Sequence, residues 1–460
     1  MNSFIGVRIA GGIQPFQIVQ QDEEEFGQIT CHGQWHYEEG PGVVQLRIVH
    51  ASDGRVVGHS TDWQQASEQK DADWSHTFSQ IPAGGLYRLE SRLVIDQGAP
   101  EWGIHGDHIH HIGVGDLWII AGQSNAAGYG RGPAHDPPEL GIHILKNEEV
   151  WDVAAHPLND TTRSTHPNLE NANPGHAPYL QFAKDLKAEL GYPIGLIQTA
   201  LGGSPLSAWN PGENPEAPLF NNLIHCLTLA GGKARGMVWY QGESDCSIAL
   251  APSYETRFAS FITHLRKEMG QPDFPVIIAQ LNRYVEPQDD EGHRGWSIVR
   301  EAQRQAKKLG HVTAVSTIDL PISDAIHTSS GGNLTLGSRK ARAAQGMVYG
   351  YPVHWRPMDV SSARLLEDTV VELIYGDVEN RLLFLGPGHE DFIVQDDIGQ
   401  IKITSASCVS RDRVHLVLER PIQGRGRVHG AYGSAPPSTL RDAETNVPPL
   451  GFFDLTIETT

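Results

Sequence analysis

Four short polar stretches hold the residue types that an acyl transfer requires, and each follows a run of apolar residues. Gly122-Gln123-Ser124-Asn125 comes first, then Gly202-Gly203-Ser204, then Gln241-Gly242-Glu243-Ser244-Asp245, and last Asp324-Ala325-Ile326-His327. Ser124 offers a hydroxyl, a weak nucleophile until a base takes its proton. His327 is the candidate base, and Asp324, three residues earlier, would orient the imidazole and stabilise its protonated form. The tetrahedral intermediate needs donors on its oxyanion. The Ser124 N–H, the Gly202 N–H and the Gln241 side-chain amide are the candidates. Singly, each stretch has an innocent account: a helix cap at Ser124, a tight turn at 202–203, a carboxylate-dressed helix start at 241–245, a surface loop at 324–327.

The elements around them make that joint innocence a poor account. Short apolar runs at 117–121, 194–199, 236–240, 276–281 and 313–318 read as strands buried on both faces. Between and after them, helical periodicity covers 179–190, 219–229, 253–269, 297–309 and 334–349. Alternation of this kind implies an α/β fold, a parallel sheet with helices on both faces and right-handed crossovers. All strand carboxyl ends then lie on one edge, and the polar stretches converge there. Residues 126–176, rich in Pro, Asn and His and lacking a clear helix, form a long loop expected to shape a binding site.

The four ordered blocks, with Trp209 shortly after the second, resemble the SGNH-type hydrolases, specifically the sialate O-acetylesterase-like and carbohydrate esterase family 6 branch. The resemblance implies a three-layer α/β/α parallel-sheet domain and a serine esterase that removes O-acetyl groups from sugar hydroxyls. In that branch Gln replaces the superfamily's Asn as third oxyanion donor, a role that falls on Gln241. Gln123, Asn125, Gly203, Trp209, Glu243, Asp245, Arg131 and Arg283 become candidates for substrate contact or loop support. The two arginines suit the carboxylate of a sialic acid; acetylated xylan is the other substrate class implied. The alternative is a non-catalytic carbohydrate-binding protein on an esterase-derived fold. No cofactor and no metal are expected.

The flanks read differently. In 1–112, runs at 27–35, 43–50, 55–60, 74–78 and 87–95 alternate or are rich in β-formers, and no helix-period stretch appears, so a β-sandwich-like domain is expected. The catalytic domain then covers 113–355. A second β domain follows at 356–460, with strands at 370–375, 381–385, 401–406, 413–418 and 427–432 and an apolar piece at 448–453 that should dock back. His105, His108, His110 and His111 read as a polar strand between domains rather than a metal site. With 460 residues, several cores are expected. A formal net charge of −20 excludes nucleic acid and anionic membrane surfaces as natural partners. No apolar run reaches membrane-spanning length. The scattered Cys31, Cys226, Cys246 and Cys408 read as free thiols. The N-terminus lacks a signal peptide's apolar core: a cytoplasmic protein is expected if it is native, a periplasmic or secreted one if a signal has been removed.

Overall fold

The longest strand, Ile104–Gly122, belongs to two parts of the molecule at once. This computed structural model describes residues 4–58, 61–171 and 174–459. The first half of that strand pairs antiparallel with Gly84–Val94. Residues 116–122 pair in parallel with Ile194–Gln198 and Gly236–Tyr240. From Ile112 onward every residue is buried, which suits a strand covered on both faces. The boundary expected after residue 112 falls inside this strand, so the first β unit and the central sheet share it rather than meeting at a linker. The four histidines lie on its more exposed half; the His108 and His110 rings are 4.6 Å apart, and His111 stacks on Phe16.

The central sheet runs Trp151–Val153, Ile142–Leu145, Ile194–Gln198, Ile104–Gly122, Gly236–Tyr240, Val276–Ala279, Val312–Val315. Only Trp151–Val153, at the edge, is antiparallel to its neighbour. Successive strands after Ile104–Gly122 are laid down first on one side of it and then on the other. Its carboxyl end is therefore the switch point where a cleft opens. Trp118 packs edge-on against Phe182 of helix Tyr179–Leu190. Trp239 registers beside Ala121, three residues further along, so it faces the other way. It packs on Phe258 and Phe261 of helix Tyr254–Met269. Helices thus cover both faces, and the core is a continuous apolar layer on each side of the sheet.

Several expected elements shift. The loop at 126–176 holds two short strands, Ile142–Leu145 and Trp151–Val153, which extend the sheet. The helix expected from 297 begins at Asp290, capped by the Asp289 carboxylate on the Gly292 N–H at 2.8 Å. The last helix is Ser330–Met347, capped by Ser329.

In the first unit, one sheet orders Gly6–Gly11, Phe26–His36, Asp73–Pro82, Glu68–Lys70, and the other continues from Ile104–Gly122 through Gly84–Val94 and Val43–His50. Ile29, Trp74 and Phe78 from the first and Leu46, Ile48 and Leu89 from the second share one core. The strand expected at 55–60 is only a bridge between Val56 and Val49, and positions 59 and 60 lie outside the described residues. After residue 358 an eight-stranded sheet encloses a separate core. Leu450 leaves that unit to join the central core, and Gly451 exchanges two hydrogen bonds with the Gln280 side chain, at 2.8 and 2.9 Å. The piece at 448–453 therefore does dock back.

Candidate active site

Strand Ile104–Gly122 ends in a turn only glycine can make. Gly122 has φ +131, and a Cβ there would stand 2.1 Å from the Tyr240 carbonyl oxygen. The backbone then enters the short helix Ser124–Ala127, with Ser124 at its first position and 9% exposed. A helix's first N–H groups have no intrahelical acceptor, and that of Ser124 finds none among the described residues. Behind it, Gln123 Oε1 accepts the Gly242 and Ser244 N–H groups, both at 3.3 Å, which ties the serine turn to the loop at 241–245.

The loop at 324–327 is set from within. Asp324 Oδ1 accepts the N–H groups of Ile326 and His327 at 2.9 and 2.8 Å, and Oδ2 accepts His327 Nδ1–H at 2.7 Å. Burial works to raise the Asp324 pKa, but those hydrogen bonds and the imidazole hold it below the usual carboxylate range. The His327 ring stacks on Tyr129 at 4.9 Å, 25° from parallel. With the proton on Nδ1, Nε2 presents a lone pair; it has no hydrogen-bond partner among the described residues, Ser124 included. Such contacts commonly tighten only with substrate bound. Asn125 connects this loop to the serine: its Oδ1 accepts the Thr328 N–H at 2.9 Å and its Nδ2 donates to the Ile326 carbonyl and to Glu243 Oε1.

The opposite side is filled by the chain itself. The Gly202 N–H donates to Glu170 Oε1 at 2.7 Å, and the other Glu170 oxygen takes the Tyr129 hydroxyl at 2.6 Å. Asn159 Nδ2 also reaches Glu170, at 3.3 Å. Burial raises the Glu170 pKa, offset in part by these donors. Gln241 is fully buried, and its amide is not turned to the serine. Nε2 donates to Asp245 Oδ2 at 2.6 Å and to the Ser204 carbonyl at 3.2 Å; Oε1 accepts the Tyr254 hydroxyl. This corrects the expectation of a free Gln241 donor: its neighbours at 204, 245 and 254 are remote in sequence or lie beyond the turn, so its partners are set by packing. Asp245 is likewise structural, accepting from Leu206 N–H and Arg257 as well. Trp209 is buried against Trp239 and donates to Ser204 Oγ. Gly203 accepts the Ser244 hydroxyl through its carbonyl. Arg283 donates to the Leu320 carbonyl, whereas Arg131 pairs its backbone with Ser323 and Ser330, on either side of the loop at 324–327. Asp319, after the last strand, is held bidentately by Arg339.

Tyr129, Asn159 and Glu170 were not legible as site residues. Only their position in the long loop marked them. Glu243 carries a further signal: its carboxyl is enclosed, Oε2 has no partner, and burial pushes its pKa up to about 7. The serine at a helix start and the imidazole on a carboxylate are residue types suited to acyl transfer.

The family model described as carbohydrate esterase, sialic acid-specific acetylesterase matches residues 114–346. A probable carbohydrate esterase of Arabidopsis thaliana is 28% identical over 254 residues, 49% of this chain and 89% of that one. Sialate O-acetylesterase of Homo sapiens is 27% identical over 220 residues, 38% of this chain and 41% of that protein, so less than half of the human chain is spanned. A crystal structure of a carbohydrate acetylesterase from Xanthomonas citri superposes with a TM-score of 0.70 at 21% identity, covering 97% of this chain and 99% of that one, and so shares the fold. The match covers just over half of the chain and includes all four polar blocks, and on that basis this chain belongs to the carbohydrate esterase, sialic acid-specific acetylesterase family and is a carboxylic ester hydrolase.

Proposed function

We propose that this enzyme deacetylates a carbohydrate through an acetyl-enzyme on Ser124, on a three-layer α/β/α SGNH-type domain at 113–355 flanked by β-sandwich-like units at 1–112 and 356–460. The observation that carries the reading is the Asp324/His327 pair at 2.7 Å, in a loop tied by hydrogen bonds to Asn125, the residue after Ser124. His327 Nε2 takes the Ser124 proton as Oγ attacks the acetyl carbonyl. The oxyanion is received by the Ser124 and Gly202 N–H groups. His327 returns the proton to the sugar oxygen as the C–O bond breaks. A water, deprotonated by the same imidazole, then releases acetate and restores Ser124. Before the oxyanion forms, Glu170 must leave the Gly202 N–H, because a carboxylate there would repel it. Gln241 holds the floor of the site rather than the oxyanion.

Small acetylated sugars or oligosaccharides suit a site bordered by a long loop. Arg131, beside the loop at 324–327, and Arg283 are the candidates for a sialic acid carboxylate. Acetate release from acetylated sialic acids, acetylated xylan, acetylated xylo-oligosaccharides and glucose pentaacetate tests this. Short sugars should react faster than polymeric xylan; equal rates would contradict a closed pocket. Sialic acids no faster than neutral sugars would remove Arg131 from carboxylate recognition.

A further inference from the structure

In the turn that follows strand Ile142–Leu145, Glu149 Oε1 lies 2.9 Å from His166 Nε2 and 2.9 Å from His225 Nε2. The ligand atoms of the three residues all lie within 4.8 Å of one another. They come from three segments: the turn between the edge strands Ile142–Leu145 and Trp151–Val153, the long loop, and helix Pro218–Leu229. Glu149 is held in the left-handed region, φ +62, with its N–H on the Lys146 carbonyl. We propose that Glu149, His166 and His225 bind one zinc ion.

Two imidazoles and a carboxylate are a usual zinc donor set, with solvent in the remaining position. Glu149 and His225 are exposed, which leaves room for that water, while His166 is buried and fixed. The second nitrogen of His166, Nδ1, faces Cys226 Sγ at 3.6 Å. Metal-bound imidazoles typically have such a partner on the far nitrogen, and it sets the tautomer. With zinc on Nε2, Nδ1–H donates to the sulfur, and the thiol hydrogen can turn to Asn222 Oδ1, 3.9 Å away. Donor atoms 2.9 Å apart need to separate only to about 3.4 Å to surround a tetrahedral zinc at about 2.1 Å. The nearby cation Arg163 is engaged by Glu148.

A second cluster, Asp136, His156 and His176, shows what disqualifies such a set. There Lys184 Nζ sits 2.6 Å from the carboxylate. The Ala177 N–H donates to His156 Nδ1, which leaves the proton on His156 Nε2 and no lone pair for a metal. Neither obstacle exists at Glu149. The ion would join the loop carrying Glu170, four residues beyond His166, to helix and sheet. No step of the proposed acyl transfer runs through it, so the test reads binding and stability rather than activity.

Zinc titrated calorimetrically into the intact protein at neutral pH should bind one ion per chain and raise the melting temperature. His225→Ala lies on an exposed helix face and should fold normally; it and Glu149→Gln should each weaken binding at least tenfold and remove the thermal shift. The double variant His108→Ala, His110→Ala should bind as the wild type does. Cobalt in place of zinc should show a nitrogen and oxygen ligand spectrum without a thiolate band. The proposal is overturned if no ion binds, if His225→Ala binds as tightly as wild type, if binding is lost only in the His108/His110 variant, or if a thiolate band identifies Cys226 as a ligand.

Discussion

On one side of Ser124 the proposed base is held in place: Asp324 organises its own loop and accepts His327 Nδ1–H, and Asn125 ties that loop to the helix that begins at Ser124. On the other side both expected donors are engaged within the chain, Gly202 by Glu170 and Gln241 by Asp245. The base depends on contacts within four residues, which a local motif can encode. The proposed oxyanion side adds partners from farther off, Glu170 for Gly202 and Ser204 for Gln241. The two kinds of occupancy also differ. Glu170 sits on a loop, whereas Gln241 is embedded in a buried network with Tyr254, Asp245 and Arg257.

The largest effects should come from the assembled side. Ser124→Ala should cost about 10³-fold or more in kcat at an unchanged melting temperature. A variant that kept a tenth of the activity would put the nucleophile elsewhere. Asp324→Asn preserves shape but loses the carboxylate that fixes the His327 proton, and kcat should fall about 10²- to 10⁴-fold. A loss below threefold would detach Asp324 from the base.

The filled side predicts stability effects first. Gln241→Ala leaves Asp245 short of a buried donor, and unfolding measurements should show a loss of about 1–3 kcal/mol. A fall of about 10² in kcat without loss of stability would return Gln241 to the oxyanion, as a single donor is worth that much. Glu243 gives a pH test. Its folded pKa, about 7, exceeds the ordinary 4.5, so burial costs nothing where both states are protonated. The cost grows as pH rises from about 4.5, where the unfolded state ionises first, and is complete above about 7. Glu243→Gln should therefore match wild type at pH 4 and exceed it at pH 8, by about 3 kcal/mol. An equal difference at both pH values would mean that the carboxyl is not held protonated. The smallest effect is the most informative about the comparison. Glu170→Ala should raise kcat/KM on a small acetyl ester about two- to fivefold by freeing the Gly202 N–H, since a competing occupant taxes affinity by its share of the population. A tenfold loss instead would make Glu170 a contributor, through Tyr129 and its stacking on His327.

The helices and central strands were readable because burial on both faces leaves uninterrupted apolar runs, as at 117–121 and 236–240. Ile142–Leu145 was not, because His143 breaks its apolar run. That histidine is tolerated, fully buried, because both ring nitrogens are partnered: Phe16, 127 residues away, supplies a carbonyl 2.6 Å from Nδ1, and the Gly141 N–H donates to Nε2. The start of helix Asp290–Gln305 was missed for a different reason: its first turn is polar, and the Asp289 cap was the only local signal. Ser124, Gly202, Gln241, Asp324 and His327 stand out in the sequence by type and order; Tyr129, Asn159 and Glu170 do not. Which candidates face the serine was not legible, since Trp209 and Asp245 turn inward through contacts with Ser204 and Arg257 that no spacing announces.

The claim on which the rest depends is a covalent acetyl group on Ser124. Acid quenching of the wild-type enzyme during turnover of an acetylated sugar, followed by peptide mass spectrometry, reads it directly. The account predicts acetylation of the peptide that contains Ser124, appearing before steady-state acetate release and absent from Ser124→Ala. Acetyl found on another residue, or full turnover by Ser124→Ala with no acetylated peptide, would contradict it.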